Sequence, residues 1–220
     1  MTKKLLVLGA KGTTKKALEI LAAKNEYAEI ALLDNYPDSD SVFSYPIIGK
    51  CDDIAQFRQD YSHAFVCIAG SDTRQNFLRK VADAGYEIPN IIHPLAYVSP
   101  SAKLGRGVLV DAFAAIQSDC VIGDGCMINT GAIIEHDNVL GACVTVTPNA
   151  VTAGNVTIGS CSFLGINSCV INEVRIGENA LVAAGAVVIC NLPGNVMAAG
   201  CPAVVKKEIQ EIRFRRNQKM

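Results

Sequence analysis

The chain has 220 residues, 50% of them apolar and 19% charged, and a net charge of -1 at neutral pH. That length and apolar content suffice for one large core or two modest ones and leave no room for long disorder. The evenly mixed charges exclude the broad positive field that non-specific nucleic-acid binding requires. The two opening lysines precede LLVLGA, a run that breaks at Gly9 and lacks the length and cleavage site of a signal peptide, so it reads as a first strand. Thr14 to Lys24 then reads as a helix, EIALLDN as a strand, DIAQFRQ as a helix, HAFVCIAG as a strand and TRQNFLRKVADAG as a helix. Strands and helices alternating at this spacing predict a small Rossmann-like parallel α/β domain, here bounded at residues 1–95. Ligands of such sheets bind beyond the carboxyl ends of the strands.

From Val98 onward the period changes to six. Leu104, Val110, Ile116, Ile122, Ile128, Ile134, Leu140 and Val146 follow at that interval, and the series continues to Val188 with Thr152 as its one non-aliphatic member. Four residues after these positions stands a mostly small side chain, as at Ala114, Cys120, Cys126, Ala132, Ala150 and Ser162. Leu-Gly or Ile-Gly recurs every eighteenth residue, from Leu104-Gly105 to Ile176-Gly177. Three hexads therefore make one coil of a triangular solenoid, whose coils stack at about 4.8 Å and fill their interior with one large and one small residue per face. We bound this unit at residues 96–199. The remaining tail, 200–220, carries a basic segment in which Val205, Ile209 and Ile212 share one helical face, which predicts a capping C-terminal helix. No apolar run approaches the roughly 20 residues needed to span a bilayer. Nine cysteines without a CxxC pair read as structural thiols of a reducing compartment, and the protein is expected in the cytoplasm.

One histidine lies in the solenoid, His136, at an outward corner position of its hexad. Asp137 follows and can accept a hydrogen bond from one ring nitrogen, leaving the other as a base at neutral pH. Gly154 stands eighteen residues on, so stacking places its backbone N–H one rung from His136, where it can meet an oxyanion. The alternative is that His136 is a solvated corner residue; the Thr152 break beside Ala153-Gly154 speaks for a site. No metal is expected, since a zinc centre needs several convergent histidines, and His63 and His93 read as packing or loop residues of the other domain. In that domain Gly9-Ala10-Lys11-Gly12-Thr13 joins a strand to a helix and suits a phosphate, while Asp34 ends the second strand, where a carboxylate can meet a ribose hydroxyl. A full G-x-G-x-x-G is absent, which favours a mononucleotide-type ligand over a dinucleotide.

The stretches LLVLGAKGTT, IIHPLAYVSPSAKLG, INTGAIIEHDNVLG, NAVTAGNVTIG, FLGINSCVI and GCPA resemble the NeuD/PglD-like sugar acyltransferases over nearly the whole chain. The resemblance implies a left-handed β-helix, acetyl-coenzyme A as co-substrate, and a homotrimer with its active sites between subunits. It implies that His136 is the catalytic base and that Asp137 raises its basicity. Gly154, Ile166 and Ala184 match positions lining the acetyl-coenzyme A groove, and Thr145 stands where a second, coenzyme-binding histidine is found. Lys11, Gly12, Thr13, Asp34, Asn35, Ala69 and Asp72 match nucleotide-sugar contacts, and Asn129 an asparagine near the acceptor sugar. The family's turn often carries Gly or Ser and then His where Lys11 and Thr13 stand, so the nucleotide contacts are altered. The expected reaction is acetyl transfer to the amine of a nucleotide-linked 4-amino-sugar. O-acetylation of a sialic acid-type sugar and a non-catalytic nucleotide-sugar-binding scaffold are the alternatives.

Overall fold

The structure is a computed structural model that describes residues 3–210 and Ile212. The N-terminal domain runs β1 (Lys4–Leu8), α1 (Gly12–Lys24), β2 (Glu29–Leu33), β3 (Ser41–Val42), β4 (Tyr45–Gly49), a 3-10 turn (Cys51–Phe57), β5 (His63–Val66) and α2 (Ser71–Asp83). Its sheet has the order β3-β4-β2-β1-β5, parallel except for the β3–β4 hairpin. Leu5 and Val7 of the central strand pack with Ala17 and Leu18 of α1, and Leu6 and Leu8 pack with Phe77 and Val81 of α2. A strand buried on both faces in this way needs a continuous apolar run rather than an alternating one. Two details differ from the sequence reading. The hairpin was not anticipated, and the segment read as a helix around DIAQFRQ forms a 3-10 turn with Cys51 and Ile54 its buried residues. Two anchors on seven residues do not offset the entropy of a full α-helix.

From Ile91 the chain winds into a parallel β-helix with three faces. The first face opens with Ile91–Ile92 and Leu109–Val110 and continues through Thr145–Val146 to Leu181–Val182. The second runs from Tyr97–Val98 to Val187–Val188 and the third from Lys103–Leu104 to Arg175–Ile176. Each strand pairs with the one eighteen residues on, as Ile134 does with Thr152. The aliphatic series and the small series together form one continuous core. A third register, Phe113, Asp119, Gly125, Gly131, Asp137, Cys143, Asn149 and Asn155, adopts positive φ near 60° and turns each corner. Gly, Asn and Asp occupy this left-handed region at least cost, and their frequency here is what shapes the prism.

The first face carries the N-terminal domain, so we call it the domain face. Its outward residues Leu109 and Met127 are buried against β1 and α1. Arg74 of α2, fully buried, uses all five guanidinium N–H groups at this seam: Nη1 donates within its own domain to the Ile68 and Ala69 carbonyls, while Nε on the Gly125 carbonyl and Nη2 on the Cys143 carbonyl and Thr145 Oγ1 cross to the β-helix. Lys16 of α1 reaches Asp111 Oδ2 at 2.7 Å, where Thr130 Oγ1 also donates. Burial raises the Asp111 pKa, but Lys16, Thr130 and the Ala112 N–H outweigh it and hold the carboxyl below its ordinary range.

The expected C-terminal helix is corrected by the structure. Val204–Glu208 is a strand, antiparallel to Val196–Ala199, and extends the domain face by a hairpin. The edge of the last coil presents unpaired backbone groups that a helix cannot pair and a strand can. Within the helical pattern, Val205 lies exposed, and Ile209 donates its N–H to the Asn195 carbonyl. The tail beyond Ile212 lies outside the described residues.

Candidate active site

His136 sits at the corner between the second and third faces, in the turn after Ile133–Ile134. Its side chain is 56% exposed, and Nδ1 lies 2.7 Å from Asp137 Oδ2. With Nδ1–H donating to the Asp137 carboxylate, the other ring nitrogen is left as an acceptor. Gly154 occupies the same corner one coil on. A Cβ at Gly154 would stand 2.5 Å from His136 Cε1 and 2.6 Å from Nε2, so only glycine lets the imidazole lie against this turn. The Gly154 N–H has no acceptor among the described residues, whereas Ala153 and Asn155 on either side both donate, to Val170 and to His136. A free amide beside a free ring nitrogen can serve an oxyanion and a transferred proton together.

Ile166 and Ala184 occupy the other edge of the second face, in the corners after Phe163–Leu164 and Leu181–Val182. Asn129 lies on that edge as well and donates Nδ2 to the Val146 carbonyl. One chain therefore does not bring these three to His136; the whole width of the second face separates them. Thr145 is also placed elsewhere. It is buried on the domain face with Oγ1 accepting from Arg74, because the column nine residues from His136 falls on a different face of the prism.

A cavity of about 360 Å³ opens beyond the carboxyl ends of β1, β2 and β5, lined by Lys11, Thr13, Asp34, Asn35 and Ala69 together with Tyr36, Cys51 and Phe77. Gly9 shapes its floor at φ +103°, where a Cβ would meet the Cys67 carbonyl at 2.8 Å. Asp34 accepts the N–H groups of Ala10 and Tyr36 at 2.7 Å, which pins the glycine turn to the end of β2. Lys11 Nζ is held by Asp38 at 2.6 Å and by the Tyr36 carbonyl. Gly12 and Asp72 do not line the cavity. Gly12 opens α1 with space where a Cβ would stand, and Asp72 lies beside Cys161 at the seam. Burial pushes the Cys51 thiol up to about 11 and that of Cys67 to about 12, so neither supplies a thiolate at neutral pH.

The sequence reading passed over Asn138, a fully buried amide in the small-residue register directly behind the His136 turn. Its signal was an amide where the neighbouring hexads carry Ala, Cys or Val.

Stacked hexads with an outward imidazole place the chain among the hexapeptide-repeat transferases. The bacterial transferase hexapeptide model (six repeats) matches residues 101–136, and the PglD N-terminal domain model matches residues 4–81. Among solved structures, a histidine-to-asparagine mutant of perosamine N-acetyltransferase from Caulobacter crescentus, in complex with CoA and GDP-perosamine, is 39% identical. That match covers 93% of this chain and 97% of the other at a TM-score of 0.89. The acetyltransferase domain of PglB from Neisseria gonorrhoeae FA1090, in complex with acetyl coenzyme A, is 35% identical over 93% of this chain and 100% of its own, with a TM-score of 0.89. WeeI from Acinetobacter baumannii AYE, at 24% identity, 93% and 100% coverage and a TM-score of 0.84, shares the fold. The chain belongs to the NeuD/PglD-like family of sugar acetyltransferases.

Proposed function

We propose that the protein transfers the acetyl group of acetyl-CoA to the amine of a nucleotide-linked 4-amino-sugar, with His136 as the general base. The observation that carries this reading is the imidazole held by Asp137 at 2.7 Å and laid against Gly154, whose N–H has no acceptor among the described residues. The amine forms a bond to the thioester carbonyl carbon while Nε2 takes its proton. Gly154 N–H faces the oxygen as it gains charge; the adduct then collapses with cleavage of the C–S bond, and His136 returns its proton to the departing sulfur, so that the products are the amide and free CoA thiol. The relatives support the substrates: the perosamine enzyme is described with CoA and GDP-perosamine, and the PglB domain with acetyl coenzyme A. The cavity at Lys11, Thr13, Asp34, Asn35 and Ala69 has the place and size to hold the nucleotide.

The active form is a homotrimer. The second face presents Tyr97, Ala115, Ile133, Val151, Cys169 and Val187 outward, a column without a charge. His136 and Gly154 flank one edge of that column, and Asn129, Ile166 and Ala184 flank the other. Packing the face of one subunit against its neighbour around a threefold axis joins the two edges, with coenzyme between them. Ile91–Ile92 already pairs with Leu109–Val110, so the β-helix begins a few residues before the expected boundary at 95/96, and its C-terminal hairpin runs past 199 to Glu208. Nine free cysteines fit a reducing cytoplasm.

The test is an acetyl-transfer assay of the purified protein with acetyl-CoA against UDP-, dTDP- and GDP-linked 4-amino-sugars and free sialic acid. Thiol release is expected with a nucleotide-linked amino-sugar, and His136→Ala is expected to lose about 10²- to 10⁴-fold in kcat. Transfer to sialic acid alone would replace the acceptor, and undiminished turnover in the variant would remove His136 from the mechanism.

A further inference from the structure

We propose that Asn138 is a positioning residue for the transfer, one that turns the Gly154 amide outward and braces the His136 corner from inside the prism. This rests on the reading of Gly154 N–H as the oxyanion donor. Asn138 is fully buried, and its Nδ2 donates to three carbonyls: those of Glu135 and His136 on its own coil, the latter at 3.2 Å, and that of Ala153 on the next at 2.9 Å. Three carbonyl oxygens around one end of the amide settle which end is nitrogen.

The Ala153 carbonyl and the Gly154 N–H belong to one peptide group, and in a trans peptide the two point in opposite directions. The Ala153–Gly154 peptide is trans, so drawing the Ala153 oxygen inward to Asn138 directs the Gly154 hydrogen outward, on the corner where the imidazole lies against the Gly154 α-carbon. The Glu135 carbonyl shares its peptide with the His136 N–H and is held by the same nitrogen. Asn138 thus touches both peptides that carry the site; Cys120 Sγ also donates to the Glu135 carbonyl at 3.0 Å, whereas the Ala153 carbonyl accepts from Asn138 alone among the described residues. Donation to a carbonyl also polarises its peptide and strengthens the N–H on the far side.

A simpler form of the contact recurs elsewhere. Cys120 Sγ donates to the Glu135 carbonyl beside His136, Cys126 Sγ to that of Gly141 and Ser162 Oγ to that of Gly177, each fifteen residues ahead. Asn138 differs in reaching carbonyls on two coils at once, which no other side chain of this register does among the described residues. Its Oδ1 is buried without a partner, as is Oγ1 of Thr152, the residue before Ala153. An amide that leaves its own oxygen unsatisfied is a costly way to hold a corner that a thiol or hydroxyl holds elsewhere. The extra donor is what it adds.

The experiment compares Asn138→Val and Asn138→Ala with Asn138→Cys and Asn138→Ser. Val144, Val156 and Val174 are buried in this same register, so valine fits the prism. Cysteine and serine keep the contact fifteen residues ahead. Each variant is assayed for kcat, for KM of both substrates and for melting temperature. Because an oxyanion donor acts in the transition state, Asn138→Val and Asn138→Ala are expected to lose roughly 10- to 100-fold in kcat with both KM values within about twofold. Cysteine and serine are expected to restore most of that loss. An unchanged kcat in the valine and alanine variants would overturn the proposal. So would parallel losses in melting temperature, KM and kcat, the failure of both to fold, or a cysteine variant as slow as valine. A wild-type protein that transfers no acetyl group to any amino-sugar would instead sink the underlying reaction.

Discussion

At the residue scale, the contact on which the proposed chemistry turns is between two groups on neighbouring coils, the His136 ring and the Gly154 α-carbon. Gly154→Ala places a methyl where the ring now lies, 2.5 Å from Cε1. Gly154 is not at positive φ, so its backbone accepts alanine, and the half-exposed imidazole can swing outward rather than force the coil apart. The expected outcome is a fold destabilised by less than about 1 kcal/mol but a kcat lowered about 100-fold or more, because a base displaced by an ångström misses its proton. Circular dichroism melting beside steady-state kinetics checks both halves; full activity in the alanine variant would show that the ring does not need its present seat. His136, Asp137 and Gly154 were legible in the sequence because a period of eighteen converts spacing directly into adjacency. Asn138 was not, since the pattern marks its position only as small and interior. Thr145 was named by resemblance alone, and its burial on the domain face against Arg74 could not be read from the hexad period, which does not say what covers a face.

At the element scale, Arg74 is the bolt between α2 and two successive coils. Its carbonyl partners at Ile68 and Ala69 border the cavity at the carboxyl ends of the strands, and those at Gly125 and Cys143 belong to the β-helix. Arg74→Met keeps the length and removes all five donors from a seam that admits no water-facing alternative. Losing a buried network of this kind costs on the order of 3–4 kcal/mol. The cost should fall on the attachment of the α/β domain rather than on the stacked coils, which satisfy their own ladders. We therefore expect calorimetry of the variant to show an early transition for the α/β domain ahead of β-helix unfolding, and a melting profile identical to wild type would contradict the assignment. Element types read well from the sequence where burial imposes a period, as in β1 and every hexad. They read poorly where the neighbour decides. The tail carries a helical spacing of apolar residues, yet the open edge of the last coil pairs Val204–Glu208 as a strand. The β3–β4 hairpin, short and half-exposed, imposes no period at all.

At the scale of the whole molecule, the separation of functional residues onto two edges of one uncharged face is the strongest constraint on assembly. His136 and Gly154 stand on one edge and Asn129, Ile166 and Ala184 on the other, so a single chain does not bring the proposed base to the proposed coenzyme groove. If a threefold arrangement joins the edges, each active site takes His136 and Gly154 from one subunit and the nucleotide cavity from the next. Two inactive variants should then rescue one another. His136→Ala removes the base, and Ala69→Trp fills the nucleotide cavity, which Ala69 lines. Neither alone turns over, but every mixed trimer contains one junction at which a sound imidazole meets a sound cavity. Unfolding both together and refolding at equal ratio makes three quarters of the trimers mixed, each with one working site in three, so about a quarter of wild-type turnover should return. Light scattering on the same sample must report three subunits. Val151→Glu, which sets a carboxylate in the middle of the uncharged face, should abolish the rescue and the trimer together, since an unpaired charge in a buried interface costs more than one packed column supplies. No activity on mixing two variants that do assemble would mean that each chain completes its own site.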